Sequence, residues 1–132
     1  MNIAFTNGVF DLLHTGHIEL LKYSRSLGDK LVVGIDSDER VKYLKGNTRP
    51  VNVQDDRKIM LESMKYVDEV IIFNSEVELE KLIQKVAPTT MIVGEEYRNK
   101  RVVGHTPDIE LRFFKKIDGH STTNIIKNIT NR

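Results

Sequence analysis

Two histidines, His14 and His17, lie three positions apart near the start of the chain, with Gly16 between them. The apolar run at 3–5 predicts a buried strand before them, and apolar residues at helical spacing in 18–27 predict a helix after them. Both imidazoles thus lie at a strand-to-helix junction, where open α/β sheets bind ligands. The N–H groups of a helix start favour phosphate, so the pair could contact one anionic centre. Simple helix capping is the alternative, and for an isolated histidine pair it is the commoner explanation.

A second group of candidate residues lies in the loop 42–52, which is rich in basic side chains and is broken by Gly46 and Pro50. Lys45 offers a flexible ammonium and Arg49 a planar guanidinium. Both suit a polyphosphate that gains negative charge during group transfer. A solvated basic loop explains the same composition equally well.

Two further polar groups follow apolar segments later in the chain. Gly94 and Glu96 come after a predicted strand, where a carboxylate could accept hydrogen bonds from a ribose or another sugar. Ser121, Thr122 and Thr123 open the last predicted helix. Such hydroxyl groups cap helices, and together with free N–H groups they also make a phosphate cradle. A charged loop and plain capping are the respective alternatives.

The elements that must position these residues alternate regularly between strand and helix. Strands are predicted at 3–5, 30–35, 69–73, 90–93 and 110–114, and helices at 18–27, 38–44, 53–67, 77–86 and 122–129. We expect Gly28 to end the first helix and Asn52 to cap the third. Strand–helix alternation predicts an α/β fold, in which about five parallel strands form one sheet with helices on both faces.

Length and composition set limits on the class of protein. The chain has 132 residues, of which 39% are hydrophobic, so a single domain over 1–132 is expected. The net charge of +1 gives no reason to expect nucleic acid or an anionic membrane as the main partner. There is no cysteine, which excludes disulfides and thiolate metal sites. No apolar run approaches the ~20 residues of a membrane span, and no signal segment is recognisable, so we expect a cytoplasmic protein.

The string from Gly8 to His17 resembles the HxGH motif of nucleotidyltransferases related to the cytidylyltransferases. In that family the motif binds the nucleoside triphosphate and stabilises the transition state of nucleotidyl transfer. The basic loop, Gly94 to Tyr97, and Ser121 to Thr123 then follow in the family's order. The resemblance therefore covers nearly the whole chain, and it implies a Rossmann-like sheet and an enzyme.

The resemblance also implies roles for individual residues. His14, His17 and Lys45 would be catalytic, and the acceptor would be held by Asp11, Arg49 and Arg57. The implied nucleotide-binding residues are Thr6, Asn7, Gly8, Phe10, Gly16, Gly94, Glu96, Ser121, Thr122 and Thr123. Mg²⁺ would be bound mainly through the triphosphate, without a metal site built from protein side chains. A homodimer is compatible with the resemblance.

Substrate preference is read from the details of the motifs. The opening at 6–11 and the loop at 44–52 are similar to the branch that transfers an adenylyl group to a sugar 1-phosphate such as heptose 1-phosphate. Lys116 and Ile117 stand where the branch acting on glycerol 3-phosphate carries an arginine–threonine pair that contacts cytosine. The resemblance thus implies ATP and a sugar 1-phosphate, with release of pyrophosphate.

One motif departs from this pattern. Val93 replaces the lysine of the sugar-phosphate branch, and two glutamates follow Gly94. CTP with glycerol 3-phosphate therefore stays open as an alternative, as does a non-catalytic nucleotide-binding module on the same fold.

Overall fold

The computed structural model describes residues 1–115 and 122–130, without the side chains of 122–124. In these residues there are five strands and five helices, with two consecutive helices between the second and third strands, and a 3₁₀ turn at Glu95–Tyr97 follows the fourth strand. The strands are β1 Ile3–Gly8, β2 Lys30–Asp36, β3 Glu69–Phe73, β4 Thr90–Gly94 and β5 Glu110–Phe114. The helices are α1 Thr15–Ser26, α2 Asp38–Lys45, α3 Gln54–Glu62, α4 Glu76–Val86 and α5 Thr122–Thr130.

The five strands form one parallel sheet in the order β3-β2-β1-β4-β5. Phe5 in the central strand lies opposite Val32 on one side and Met91 on the other. The predicted parallel α/β sheet is confirmed. Since the chain runs outward from β1 in both directions, the strand order reverses between β1 and β4. In doubly wound sheets the ligand crevice lies at the carboxyl ends of the strands at this reversal point.

Helices cover both faces of the sheet, as predicted. Leu21 of α1 and Leu61 of α3 pack on one face. Leu82 and Ile83 of α4 pack on the other face, against Phe5 and other strand residues. Burial on both faces explains why the strands read as continuous apolar runs rather than as alternating patterns. No helix in the described parts of the chain has the length and apolar character needed to span a membrane.

Some predicted helix boundaries are wrong. The third helix starts at Gln54 and ends at Glu62, and its N-cap Val53 makes no side-chain capping bond. The Asn52 N–H instead donates to Asp11, so a tertiary contact determines the helix start. The C-cap of α1 is Leu27, and Gly28 follows it. A Cβ on Gly28 would lie 2.9 Å from the Asn2 carbonyl oxygen, so the glycine allows close approach to β1.

Arg57 is the largest fully buried side chain, with 1% of its surface exposed. Its Nε donates to the Asn52 carbonyl at 3.0 Å, and Nη1 donates to the carbonyls of Val9 and Asp36 at 2.8 Å each. Nη2 donates to Asp38 Oδ1 at 2.8 Å. These acceptors come from the segment after β1, the end of β2, the start of α2 and the basic loop. The predicted contact of Arg57 with the acceptor phosphate is not supported, because its donors are bound to protein acceptors in the interior.

Asp11 is buried in the same way, with 1% exposed. Its Oδ2 accepts the Val51 N–H at 2.6 Å and its Oδ1 accepts the Asn52 N–H at 2.9 Å. The carboxylate thus fixes the end of the basic loop against the segment before α1. The predicted contact of Asp11 with the acceptor is not supported, because both oxygens bind backbone N–H groups of the protein.

Replacing Arg57 with methionine should lower the free energy of unfolding by about 3–5 kcal/mol, because it leaves several buried acceptors without a donor. Urea unfolding measures this loss. The matched control is Arg112→Met, which removes an exposed ion pair with Glu110 of 2.7 Å. This control should cost no more than about 1 kcal/mol. Equal, small losses for both variants would contradict the structural role of Arg57.

Candidate active site

A cavity of about 610 Å³ opens at the carboxyl ends of the strands. All five strands contribute to its lining, as expected for a parallel sheet whose carboxyl ends share one edge. The strand-end residues that line it are Thr6, Asn7, Gly8, Asp36, Phe73, Val93, Gly94 and Phe114. A second groove, of about 510 Å³, lies between β3 and α4, and none of the predicted site residues line it. The strand-end cavity is therefore the candidate active site.

The two histidines form a reciprocal capping box at the start of α1. Nδ1 of His14 accepts the Gly16 N–H at 3.0 Å, and Nδ1 of His17 accepts the His14 N–H at 3.2 Å. Since Nδ1 accepts in both rings, the proton of each neutral imidazole lies on Nε2. Both rings line the cavity, and their centroids are 4.0 Å apart. Capping thus fixes the tautomer and orients two Nε2 donors as a pair.

The segment before α1 holds this arrangement in strained backbone. Phe10 and Leu12 have φ angles of 53° and 50°, in the left-handed region that non-glycine residues avoid. Residues in such conformations cost about 1–3 kcal/mol each and cluster at functional sites. Phe10 is buried, and its ring lies 5.4 Å from the His17 ring, so it supports one of the two imidazoles.

The basic loop contributes to the lining of the same cavity. Lys45 is the last residue of α2, and Gly46, with φ 97°, reverses the chain direction after it. Lys45 and Arg49 both line the cavity with His14 and His17, although about thirty positions separate them in sequence. The Nε atom of Arg49 is buried and has no hydrogen-bond partner within the described ranges. A buried donor of this kind needs an acceptor, which an anionic ligand can supply.

The two glutamates after β4 differ in their surroundings. Glu95 pairs with Arg98, whose Nε and Nη2 donate to its two oxygens at 2.8 and 3.0 Å. These hydrogen bonds from Arg98 lower the pKa of the Glu95 carboxyl. Glu96 lines the cavity, and its carboxylate lies so close to Gly94 that any side chain there would overlap it. Only Glu96 is therefore placed to contact a ligand in the cavity.

The remaining predicted residues fall into two groups. Thr6, Asn7, Gly8, Phe10 and Gly16 line the cavity, although the Thr6 hydroxyl donates to the Ile92 carbonyl at 2.9 Å and is buried. Ser121, Lys116 and Ile117 lie outside the described residues, as do the side chains of Thr122 and Thr123. The predicted phosphate cradle at α5 therefore stays a prediction.

Three residues that the sequence did not single out also line the cavity: Asp36, Arg40 and Glu76. They come from the end of β2, the first turns of α2 and the start of α4. Burial raises the pKa of the Asp36 carboxyl above its ordinary value, despite the nearby Arg40 and Arg57 guanidinium groups. The sequence feature that could have indicated Asp36 and Arg40 is an acidic residue at a predicted strand end, followed four positions later by an arginine.

Comparison with known proteins identifies the family of the chain. The family model described as "Cytidylyltransferase-like" matches residues 5–128. The bifunctional protein HldE of Campylobacter concisus is 47% identical over 127 residues, which are 96% of this chain and 27% of that protein. The HldE of Aliarcobacter butzleri is 48% identical, over 96% of this chain and 26% of that protein. The chain thus spans about a quarter of the length of these relatives.

Solved structures show the same architecture. A crystal structure of the lipopolysaccharide core biosynthesis protein of Thermoplasma volcanium superposes with a TM-score of 0.70 and 29% identity. The match covers 89% of this chain and 99% of that one. Pantothenate synthetase of Thermus thermophilus superposes with a TM-score of 0.56 at 14% identity, over 89% of this chain and 56% of that one. This second likeness concerns the fold alone.

Proposed function

Because the chain belongs to the cytidylyltransferase-like family of nucleotidyltransferases, we propose that it joins ATP to a sugar 1-phosphate such as heptose 1-phosphate and releases pyrophosphate. The observation that carries this proposal is the meeting of His14, His17, Lys45 and Arg49 in one cavity at the strand ends. The choice of ATP as nucleotide and of a sugar 1-phosphate as acceptor rests on the sequence motifs at 6–11 and 44–52. It also rests on the similarity to the HldE proteins and to a lipopolysaccharide core biosynthesis protein.

The proposed reaction is an in-line displacement. A phosphate oxygen of the acceptor forms a bond to the α-phosphorus, and the bond from this phosphorus to the bridging oxygen breaks. The bonding electron pair leaves with pyrophosphate. Such a transfer needs positioning and charge stabilisation rather than a covalent enzyme intermediate. The protein therefore has to supply preformed donors and cations around the phosphates.

Within the proposal, four residues of the cavity supply these donors and cations. His14 and His17 donate through Nε2 to oxygens of the α- and β-phosphates as negative charge builds on them. Lys45 neutralises the triphosphate, and Arg49, whose Nε is buried without a partner in the described residues, directs its guanidinium to a phosphate oxygen. The histidines act as neutral donors, so they stabilise the transition state without giving up a proton.

Mg²⁺ enters the proposal as a companion of the triphosphate. Within the described residues no group of three or more His, Asp or Glu side chains could hold a metal ion. Triphosphate oxygens and water are ligands that suit Mg²⁺, with few protein contacts. When bound, the ion would neutralise charge on the β- and γ-phosphates.

Turnover with four substrate pairs tests the assignment directly. ATP and CTP are each combined with heptose 1-phosphate and with glycerol 3-phosphate, and pyrophosphate release is measured with and without Mg²⁺. We expect kcat/KM for ATP with the sugar 1-phosphate to exceed that of the other pairs at least about tenfold, because buried polar contacts discriminate strongly between bases. The doubly acidic Glu95–Tyr97 turn favours the alternative reaction, between CTP and glycerol 3-phosphate. A preference for CTP with glycerol 3-phosphate would replace the proposal by that reaction.

Replacing His17 with alanine should lower kcat about 10²–10³-fold, as for the loss of one preformed donor to a transition state. Steady-state pyrophosphate release measures the change. His105→Ala is the matched control, since the Nε2 of His105 lies 2.8 Å from the Ile109 carbonyl and His105 does not line the cavity. Activity of His17→Ala within about twofold of the wild type would remove His17 from the mechanism.

A further inference from the structure

Asp36, Arg40 and Glu76 form a polar cluster in the wall of the strand-end cavity. Arg40 lies between the two acids, with Nε 3.5 Å from Asp36 Oδ1 and Nη2 4.0 Å from Glu76 Oε1. The three residues come from separate elements that converge where β2 and β3 end. None of them belongs to the histidine motif or to the basic loop.

One buried polar atom of this cluster, Arg40 Nε, is not satisfied by its neighbours. Arg40 Nε is buried and has no hydrogen-bond partner in the described part of the chain, because 3.5 Å is too long for a good bond to Asp36. The side chains of Arg40 and Asp36 are only 18% and 11% exposed. Buried polar groups are normally paired, so this arrangement has room for a ligand that completes it.

The charge of the cluster indicates which part of a ligand it binds. Two carboxylates and one guanidinium give a net charge of −1, which disfavours phosphate. Lys45 and Arg49 give the basic loop a positive charge in the same cavity. A phosphorylated acceptor would therefore direct its phosphate to the basic loop and its uncharged body to the cluster.

Hydroxyl groups suit the cluster chemically because they both donate and accept hydrogen bonds. The Asp36 and Glu76 carboxylates accept from a hydroxyl, and Arg40 donates to it. Hydrogen bonds to charged groups are stronger than neutral ones. Burial raises the pKa of the Asp36 carboxyl. In such surroundings a hydrogen bond donated to the carboxylate is stronger than it would be in water.

We propose that Asp36, Arg40 and Glu76 bind the hydroxyl groups of the acceptor's sugar. They thereby select a sugar phosphate over a short acceptor such as glycerol 3-phosphate. This inference rests on the proposed transfer to a sugar 1-phosphate. It names the residues that determine which acceptor the protein selects. These residues are distinct from those proposed to bind phosphate.

Acceptor kinetics of Asp36→Asn, Arg40→Met and Glu76→Gln test the inference. Each variant is assayed with ATP and either heptose 1-phosphate or glycerol 3-phosphate. We expect the ratio of kcat/KM for the sugar over glycerol 3-phosphate to fall about tenfold or more, the scale of one lost charged hydrogen bond. The KM for ATP should stay within about twofold, because the nucleotide phosphates contact other residues.

Glu78→Gln is the matched control, since it makes the same chemical change two positions along α4 and Glu78 does not line the strand-end cavity. The Glu76 side chain is 56% exposed, so Glu76→Gln should fold even where a buried variant fails. Unchanged ratios in folded variants, with a wild type that prefers the sugar, would overturn the cluster assignment alone. A wild type that uses only the short acceptor would overturn this inference together with the proposed function.

Discussion

The arrangement of the cavity depends on one buried guanidinium. Arg57 binds carbonyl groups after β1 and at the end of β2, and it pairs with Asp38 at the start of α2. Asp11 complements it by accepting two N–H groups from the end of the basic loop. A parallel sheet leaves its strand ends as separate loops, and these two side chains connect those loops. They thereby place the cations of the loop opposite the histidine pair.

In the histidine pair, the capping hydrogen bonds also set the geometry for the proposed chemistry. The first N–H groups of a helix need acceptors, and serine or aspartate normally supplies them. Here the imidazole Nδ1 atoms accept, which leaves Nε2 of each ring as the protonated atom. An aspartate cap would satisfy the helix but would provide no such donor to a phosphate, because an ionised carboxylate only accepts hydrogen bonds. The helix-capping and catalytic interpretations of the motif are therefore compatible, and the first supplies the geometry for the second.

Residues close together in sequence were the easiest to predict. The strands were recognisable because burial on both faces makes them continuous apolar runs, and the histidine motif is contiguous. The resemblance implied an acceptor role for Arg57, and helical spacing could not show that this side chain instead faces buried carbonyls. The Asp36–Arg40–Glu76 cluster could not be predicted, because Glu76 reaches the other two only through the strand order. Asn52 is not the cap, since the helix begins one residue later, and its N–H is bound by Asp11, forty-one positions away.

Helix capping holds both histidines with Nδ1 as the acceptor and Nε2 as the donor, in the cavity where the nucleotide phosphates are proposed to bind. Long-range ¹H–¹⁵N correlation spectra of protein with ¹⁵N-labelled histidine resolve which ring nitrogen carries the proton. At neutral pH we expect the Nε2–H tautomer for His14 and His17, and ATP should perturb Nε2 more than Nδ1. A proton on Nδ1 of either ring, or no response to ATP, would contradict the account.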